Sequence, residues 1–247
     1  MAVIWQTRQN NRLYEVRTAG ATLRLYTNGA FHSQYNPNRL LTGGIWDMLV
    51  LPALFGSAPL PRVLMLGVGG GASIHALNRL LSPRSITGIE LDPVHLLVAR
   101  QHFHSDLANV TLVEADAIRW VGRTRRQFDL VIDDLFLDAP GDPTRPVTVD
   151  AEWLAKLAAR TSRHGVLLQN HLSPALARAV VQQHRALLAH QFGSALLFSM
   201  PTYTNSILAL YRDPANAKQG RQRAVNRVNS AERGAGRRLA FQCTTLF

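Results

Sequence analysis

Cysteine is nearly absent from these 247 residues: Cys243 stands alone, so no internal disulfide can close and no thiolate cluster can hold zinc. Long apolar runs are missing too. Nothing reaches the 18 or so consecutive apolar residues of a membrane-crossing helix, and no membrane partner is expected. The opening Met1-Ala2-Val3-Ile4-Trp5-Gln6 shows no basic stretch leading into an apolar one, which sets the expectation of a cytoplasmic protein without a secretory signal. Acidic residues are scarce, 16 against 27 Lys and Arg, leaving a net charge of +11. More than half of that excess lies between Pro214 and Phe247, where Lys218, Arg221, Arg223, Arg227, Arg233, Arg237 and Arg238 face Glu232 alone. This stretch has few large apolar residues and is expected to be a flexible basic tail, through which nucleic acid is a partner the charge permits. The histidines are scattered; His102 and His104 lack acidic partners at ligand spacing, so no metal is expected.

What is present is a change of rhythm. Residues 1–58 read as a small β-hairpin region: Leu13–Arg17 and Thr22–Tyr26 alternate apolar with polar around Ala19-Gly20, and Asn28-Gly29 marks a second tight turn. From 59 to about 213 apolar strands alternate with amphipathic helices. The pattern predicts strands at Arg62–Leu66, Ser85–Leu91, Val110–Glu114, Phe128–Asp133 and Gly165–Asn170, with helices near 72–81, 94–104, 150–161 and 174–191. The strands are apolar on both faces, as in a buried parallel sheet. Only Pro201-Thr202-Tyr203-Thr204-Asn205 separates Ala195–Met200 from Ser206–Tyr211, too short for a crossover helix, so the last pair must be antiparallel. The expected fold is α/β: a Rossmann-like class I methyltransferase fold, a mostly parallel seven-stranded sheet ending in an antiparallel hairpin.

Three features in register point to a nucleoside. The first strand runs straight into Gly67-Val68-Gly69-Gly70-Gly71 and a helix opens after it. Such a bend lets backbone approach a ligand and presents free N–H groups, but it also fits NAD, FAD or a plain turn. Glu90 closes the second strand, where a carboxylate can accept ribose hydroxyls. Asp116-Ala117 follows the third strand, and an Asp there can accept from an adenine amino group. The expected donor-binding set is Gly67, Gly69, Gly70, Gly71, Glu90, Leu91, Asp116 and Ala117, with S-adenosylmethionine or decarboxylated S-adenosylmethionine as donor. Asn170-His171 lies past the fifth strand, on the ligand side of a parallel sheet.

Leu66-Gly67-Val68-Gly69-Gly70-Gly71, Gly88-Ile89-Glu90-Leu91-Asp92, Glu114-Ala115-Asp116-Ala117 and Phe128-Asp129-Leu130-Val131-Ile132-Asp133-Asp134, with Leu25–Gly29 and Trp46-Asp47 upstream, give the chain its resemblance to the spermidine synthase (polyamine aminopropyltransferase) family over roughly residues 12 to 212. The resemblance implies a transferase with a small amine acceptor, acting in polyamine biosynthesis, and dimers are common in the family. It makes Asp134 the base that takes a proton from the attacking amine, puts His32 where the family has Gln, and places Trp46 and Asp47 over the donor. Asp138 and Asp142 would extend an acidic mouth, and Tyr203 sits in a loop near where acceptors enter related folds. The chain departs from the pattern at Gly70, where the family has an Asp for the donor's terminal amine, and in the apolar Leu135-Phe136-Leu137 after Asp134. Those departures keep two alternatives open: a methyltransferase using ordinary S-adenosylmethionine, and a nucleoside-binding relative without catalysis.

Overall fold

The computed structural model describes residues 1–137 and 144–247; the expectations placed on Asp138 and Asp142 lie outside them. The chain begins with an antiparallel sheet of β1 (Ala2–Gln9), β2 (Arg12–Ala19), β3 (Thr22–Thr27) and β4 (Ala30–Tyr35), in that order. Its turns are set by residues that tolerate positive φ: Asn10-Asn11 (49° and 61°), Gly20 (59°) and Asn28-Gly29 (48° and 82°). The sheet docks through Val16 and Leu25 onto Val98 and Phe103 of the main domain, so hydrophobic burial fixes where its turns lie.

A short helix α1 (Ile45–Met48) and a 3-10 turn at Leu51–Phe55 lead into the main sheet. There β5 (Arg62–Leu66), α2 (Ala72–Leu81), β6 (Ser85–Glu90), α3 (Pro93–Gln101), β7 (Val110–Glu114), α4 (Ala117–Arg123), β8 (Phe128–Asp133), α5 (Ala151–Arg160) and β9 (Thr161–His171) alternate. Then come α6 (Pro174–Gln183), α7 (Arg185–Gln191), β10 (Ser194–Ser199), β11 (Ser206–Tyr211), α8 (Ala217–Ala231) and β12 (Gln242–Thr245). The strand order is β12-β10-β11-β9-β8-β5-β6-β7. β5 to β9 pair in parallel, whereas β11 is antiparallel to both β9 and β10. Along β5, Val63 and Met65 enter one core and Leu64 and Leu66 the other, which is why the strand is apolar at every position after Arg62. The direction of winding reverses at β5, between β6 and β8, and in open α/β sheets this is where ligands bind.

Two expectations for the C-terminal part are corrected. The stretch 214–247 is no flexible tail: α8 buries Gly220, Ala224 and Val228, and a Cβ on Gly220 would come within 2.3 Å of the Phe55 ring. Its arginines serve this packing. Arg223 donates to the carbonyl of Phe55, Arg227 to that of Leu80 and Arg221 to that of Phe241, over whose ring it also lies. Arg238 pairs with Glu232. Charge read as free for a polyanion is thus partly spent satisfying the chain's own carbonyls. The segment also adds β12 to β10, giving the main sheet eight strands rather than seven.

Candidate active site

A cavity of about 1290 Å³ opens at the carboxyl ends of β5, β6, β8 and β9 and is roofed by residues of β4, α1 and the β1–β2 turn. Of the expected residues it gathers Gly67, Gly69, Glu90, Leu91, Asp116, Ala117, Asp134, His32, Trp46 and Tyr203. Gly70, Gly71 and Asp47 are not on its lining, each for a local reason. Gly70 lies against β4: its N–H donates to Ser33 Oγ at 2.9 Å, and a Cβ there would stand 3.0 Å from both Ser33 and Phe103. The volume of an acidic side chain at this position is already filled. Gly71, with φ of +76°, caps α2 and would meet Ser105. Asp47 turns inward, accepting from Gly43 N at 2.7 Å, and burial raises its carboxyl to about 6.

The bend after β5 is built by close approaches. Gly67, at φ +82°, lies so near β8 that a Cβ would sit 2.3 Å from the carbonyl oxygen of Asp134, which only glycine allows. Glu90 braces the bend: its Oε2 accepts from the N–H groups of Val68 and Gly69, both at 2.9 Å, and its Oε1 from Asp92 N at 3.0 Å. A carboxylate offers about four acceptor positions, so one remains for a ligand hydroxyl in this arrangement, rather than the pair a ribose offers. Asp116 is the N-cap of α4, with Oδ1 accepting from Ile118 N and Arg119 N. Its Oδ2 stands 3.6 Å from Arg119 Nε.

Asp134 emerges at the end of β8 with Oδ1 accepting from Asn170 Nδ2 at 2.7 Å; Asn170 in turn accepts from Asn205 at 3.1 Å. Burial among apolar walls is the main influence on its carboxyl and raises it to about 7, against the lowering effect of Asn170 and Arg145. The group therefore changes charge near neutrality, as a proton acceptor should. Asp133, one residue earlier, points the other way, fully buried in hydrogen bonds to Arg145, Trp153 and Gln169. On the roof, Trp46 donates to the carbonyl of His32 at 3.0 Å and meets Phe31 edge-on, which stacks on Tyr26. Tyr203 joins this wall across Gly44.

Sequence reasoning missed what β2 and β3 of the N-terminal sheet contribute. Arg12 and Tyr14 line the cavity and both reach Asp92 Oδ2, at 3.4 and 2.7 Å, while His95 meets Thr27 at 2.9 Å and stands 3.9 Å from Glu90. The Asn10-Asn11 turn, which carries Arg12 over the cavity, was the available signal.

A parallel sheet with its switch at β5, a glycine bend there and acids after β6 and β7 defines a Rossmann-like fold of the class I methyltransferase type. Residues 47–217 match the model of the spermine/spermidine synthase domain, and the chain belongs to that family. Polyamine aminopropyltransferase 2 of Ralstonia nicotianae is 34% identical over 125 residues, which are 45% of this chain and 23% of that protein. The chain thus spans under a quarter of that relative's length. The crystal structure of a probable spermidine synthase from Corynebacterium glutamicum superposes with a TM-score of 0.75 at 15% identity, covering 99% of this chain and 91% of the other. A spermidine synthase in complex with the transition-state analogue AdoDATO superposes with a TM-score of 0.67 at 14% identity, covering 87% and 75%. At these identities the likeness establishes the fold.

Proposed function

We propose that this chain transfers an aminopropyl group from decarboxylated S-adenosylmethionine to a small amine acceptor, with Asp134 as the proton acceptor. The observation that carries the reading is the place of Asp134: on the wall of the cavity that also holds the glycine bend, Glu90 and Asp116, with a carboxyl that titrates near 7. Family membership and the AdoDATO complex of a structural neighbour support it. Glu90 would take a ribose hydroxyl and Asp116 the adenine amino group, with Leu91 and Ala117 against the base.

The chemistry needs such a carboxylate. An alkylamine with a pKa near ~10.4 is neutral in only about one molecule in ~2,500 at pH 7, a cost of roughly 4.6 kcal/mol. The amine nitrogen attacks the propyl carbon attached to sulfur, the carbon–sulfur bond breaks with its electron pair staying on sulfur, and methylthioadenosine leaves. The nitrogen's surplus proton passes to Asp134. Before attack the same carboxylate holds the ammonium in line, so the position of Asp134 matters as much as its basicity. His32, Trp46 and Tyr203 would shape the acceptor side.

The test is direct. Calorimetric titration with decarboxylated S-adenosylmethionine, S-adenosylmethionine and methylthioadenosine reads the donor, and mass spectrometry of incubations with an amine panel reads the product. Binding of none of the three nucleosides overturns the proposal, and methylated products in place of aminopropylated ones would replace it with methyl transfer.

A further inference from the structure

The two carboxyls that end β8 are treated in opposite ways. Asp133 accepts from Arg145 Nη2 at 2.6 and 2.7 Å, Trp153 Nε1 at 3.0 Å and Gln169 Nε2 at 3.0 Å. Burial pushes its carboxyl up, but the Arg145 guanidinium and these donors hold it below the ordinary value. Asp134 faces the cavity, and among the described residues its side chain is tethered by hydrogen bond only through Asn170.

Arg145 touches both arrangements. Its Nη1 donates to the backbone oxygen of Asn170 at 2.8 Å, and Asn170 is the residue whose amide holds Asp134. Its guanidinium lies 5.6 Å from the centre of the Phe136 ring, a wall of the cavity. Just before it, Leu137 and Thr144 exchange backbone hydrogen bonds at 2.8 and 3.2 Å, so the stretch carrying Arg145 is pinned where it leaves Asp134.

We propose that Arg145 is the positioning residue for Asp134: by neutralising Asp133 and fixing Asn170 it keeps the Asp134 carboxyl aimed into the cavity and able to ionise. The inference rests on the reading of Asp134 as proton acceptor. Among the described residues the charged groups acting on Asp134 are Arg145, the adjacent Asp133 at the end of β8 and Glu90 from β6. On β9, His171 is held neutral, burial first and Arg145 second lowering it to about 4. Arg145 is therefore the one cation among these groups. Take it away and Asp133 and Glu90 both oppose ionisation of Asp134. A lysine could replace the charge but not the fork, since one ammonium cannot hold the same planar pair of contacts to Asp133 and the Asn170 carbonyl.

The test follows the carboxyl itself by ¹³C NMR of protein labelled at aspartate, with Asp134→Asn identifying the signal, alongside the pH profile of kcat/KM. In Arg145→Met the Asp134 midpoint moves up by about one pH unit, and the acid limb of the profile moves with it. In Asp133→Asn, which leaves the cation unopposed, both move down. Arg145→Lys restores the midpoint while kcat stays about tenfold low. A midpoint unchanged in Asp133→Asn, an isosteric variant that carries the test if Arg145→Met does not fold, overturns the proposal. Shifted midpoints without turnover of any donor and acceptor leave the role of Arg145 intact and remove the transfer reading instead.

Discussion

The two ends of the cavity are built on different principles. At the donor end each acid is held by main-chain N–H groups: Glu90 by Val68 and Gly69 past the adjacent strand β5 and by Asp92, and Asp116 by Ile118 and Arg119. At the acceptor end the holding contacts run between side chains of distant loops. Asp134 depends on Asn170, 36 residues on, and Asn170 on Asn205, a further 35. His32 comes from another sheet altogether, and Trp46 from α1. A donor end made from strand termini is preformed wherever the parallel sheet forms, while the acceptor end exists only when distant loops converge. Substitutions at the first should register as donor affinity, and at the second as rate.

The strongest attempt to break that division is Asp134→Asn. Turnover is expected to fall roughly 10²- to 10⁴-fold, the usual contribution of a positioned acid or base, with donor affinity unchanged by calorimetry; a parallel loss of donor binding would erase the distinction. The parent enzyme carries a pH signature of the same group. With Asp134 as the proposed proton acceptor, kcat/KM is expected to rise with pH through about 7, because the carboxyl must lose its proton to accept another. Stability runs the other way. Burial raises this carboxyl from 3.8 to about 7, so the folded chain holds the proton more tightly than the unfolded one. That contribution is complete below about pH 4 and is lost as pH climbs through 7. Asp47, raised to about 6 by burial, adds a slope of the same sign. The difference in Tm between parent and Asp134→Asn isolates Asp134, and it should favour the variant increasingly from pH 5 to 8.

This contrast also explains what was legible in the sequence. The strands at Arg62–Leu66, Val110–Glu114 and Phe128–Asp133 were readable to the residue, because each is a short, mostly apolar run whose ends are marked by Gly, Pro or charge. The residues of the donor end sit inside those motifs, so their meeting in one cavity could be read along the chain. Burial of α8 could not: a helix whose inner face is Gly220, Ala224 and Val228 has no apolar stripe to see, and its fit depends on Phe55 lying across it. Nor could the part of the roof that carries Arg12, which reaches the cavity only because the Asn10-Asn11 turn and the docking of Val16 and Leu25 bring it there. The filling of the space beside Gly70 by Ser33 and Phe103 likewise joins residues from three elements.

Gly67→Ala tests the seam between the two ends. With φ at +82° and the Asp134 carbonyl 2.3 Å from the new Cβ, strain and displacement should cost roughly 1–3 kcal/mol, read as lower Tm and as loss of both donor affinity and rate. A loss of only one would show that the ends move independently. Glu90→Gln is smaller in stability and confined to the donor. Its amide nitrogen must face one of the N–H groups of Val68, Gly69 or Asp92, leaving donors opposed, which weakens donor binding by about 1–3 kcal/mol, or roughly 5- to 150-fold, with turnover at saturating donor kept.

The finest discrimination comes from Asp116→Asn. Asp and Asn cap helices about equally well, so Oδ1 of the new side chain can still accept from Ile118 N and Arg119 N and Tm should not move. What changes is the other arm, where an acceptor oxygen becomes an NH₂ that meets an adenine amino group donor to donor. Donor affinity should then fall by about 1 kcal/mol, a few-fold effect, and methylthioadenosine, which keeps the adenine, should lose as much as the full donor. Equal affinity in parent and variant would assign Asp116 to the helix alone and leave the base held by Leu91 and its neighbours without a polar contact from this position.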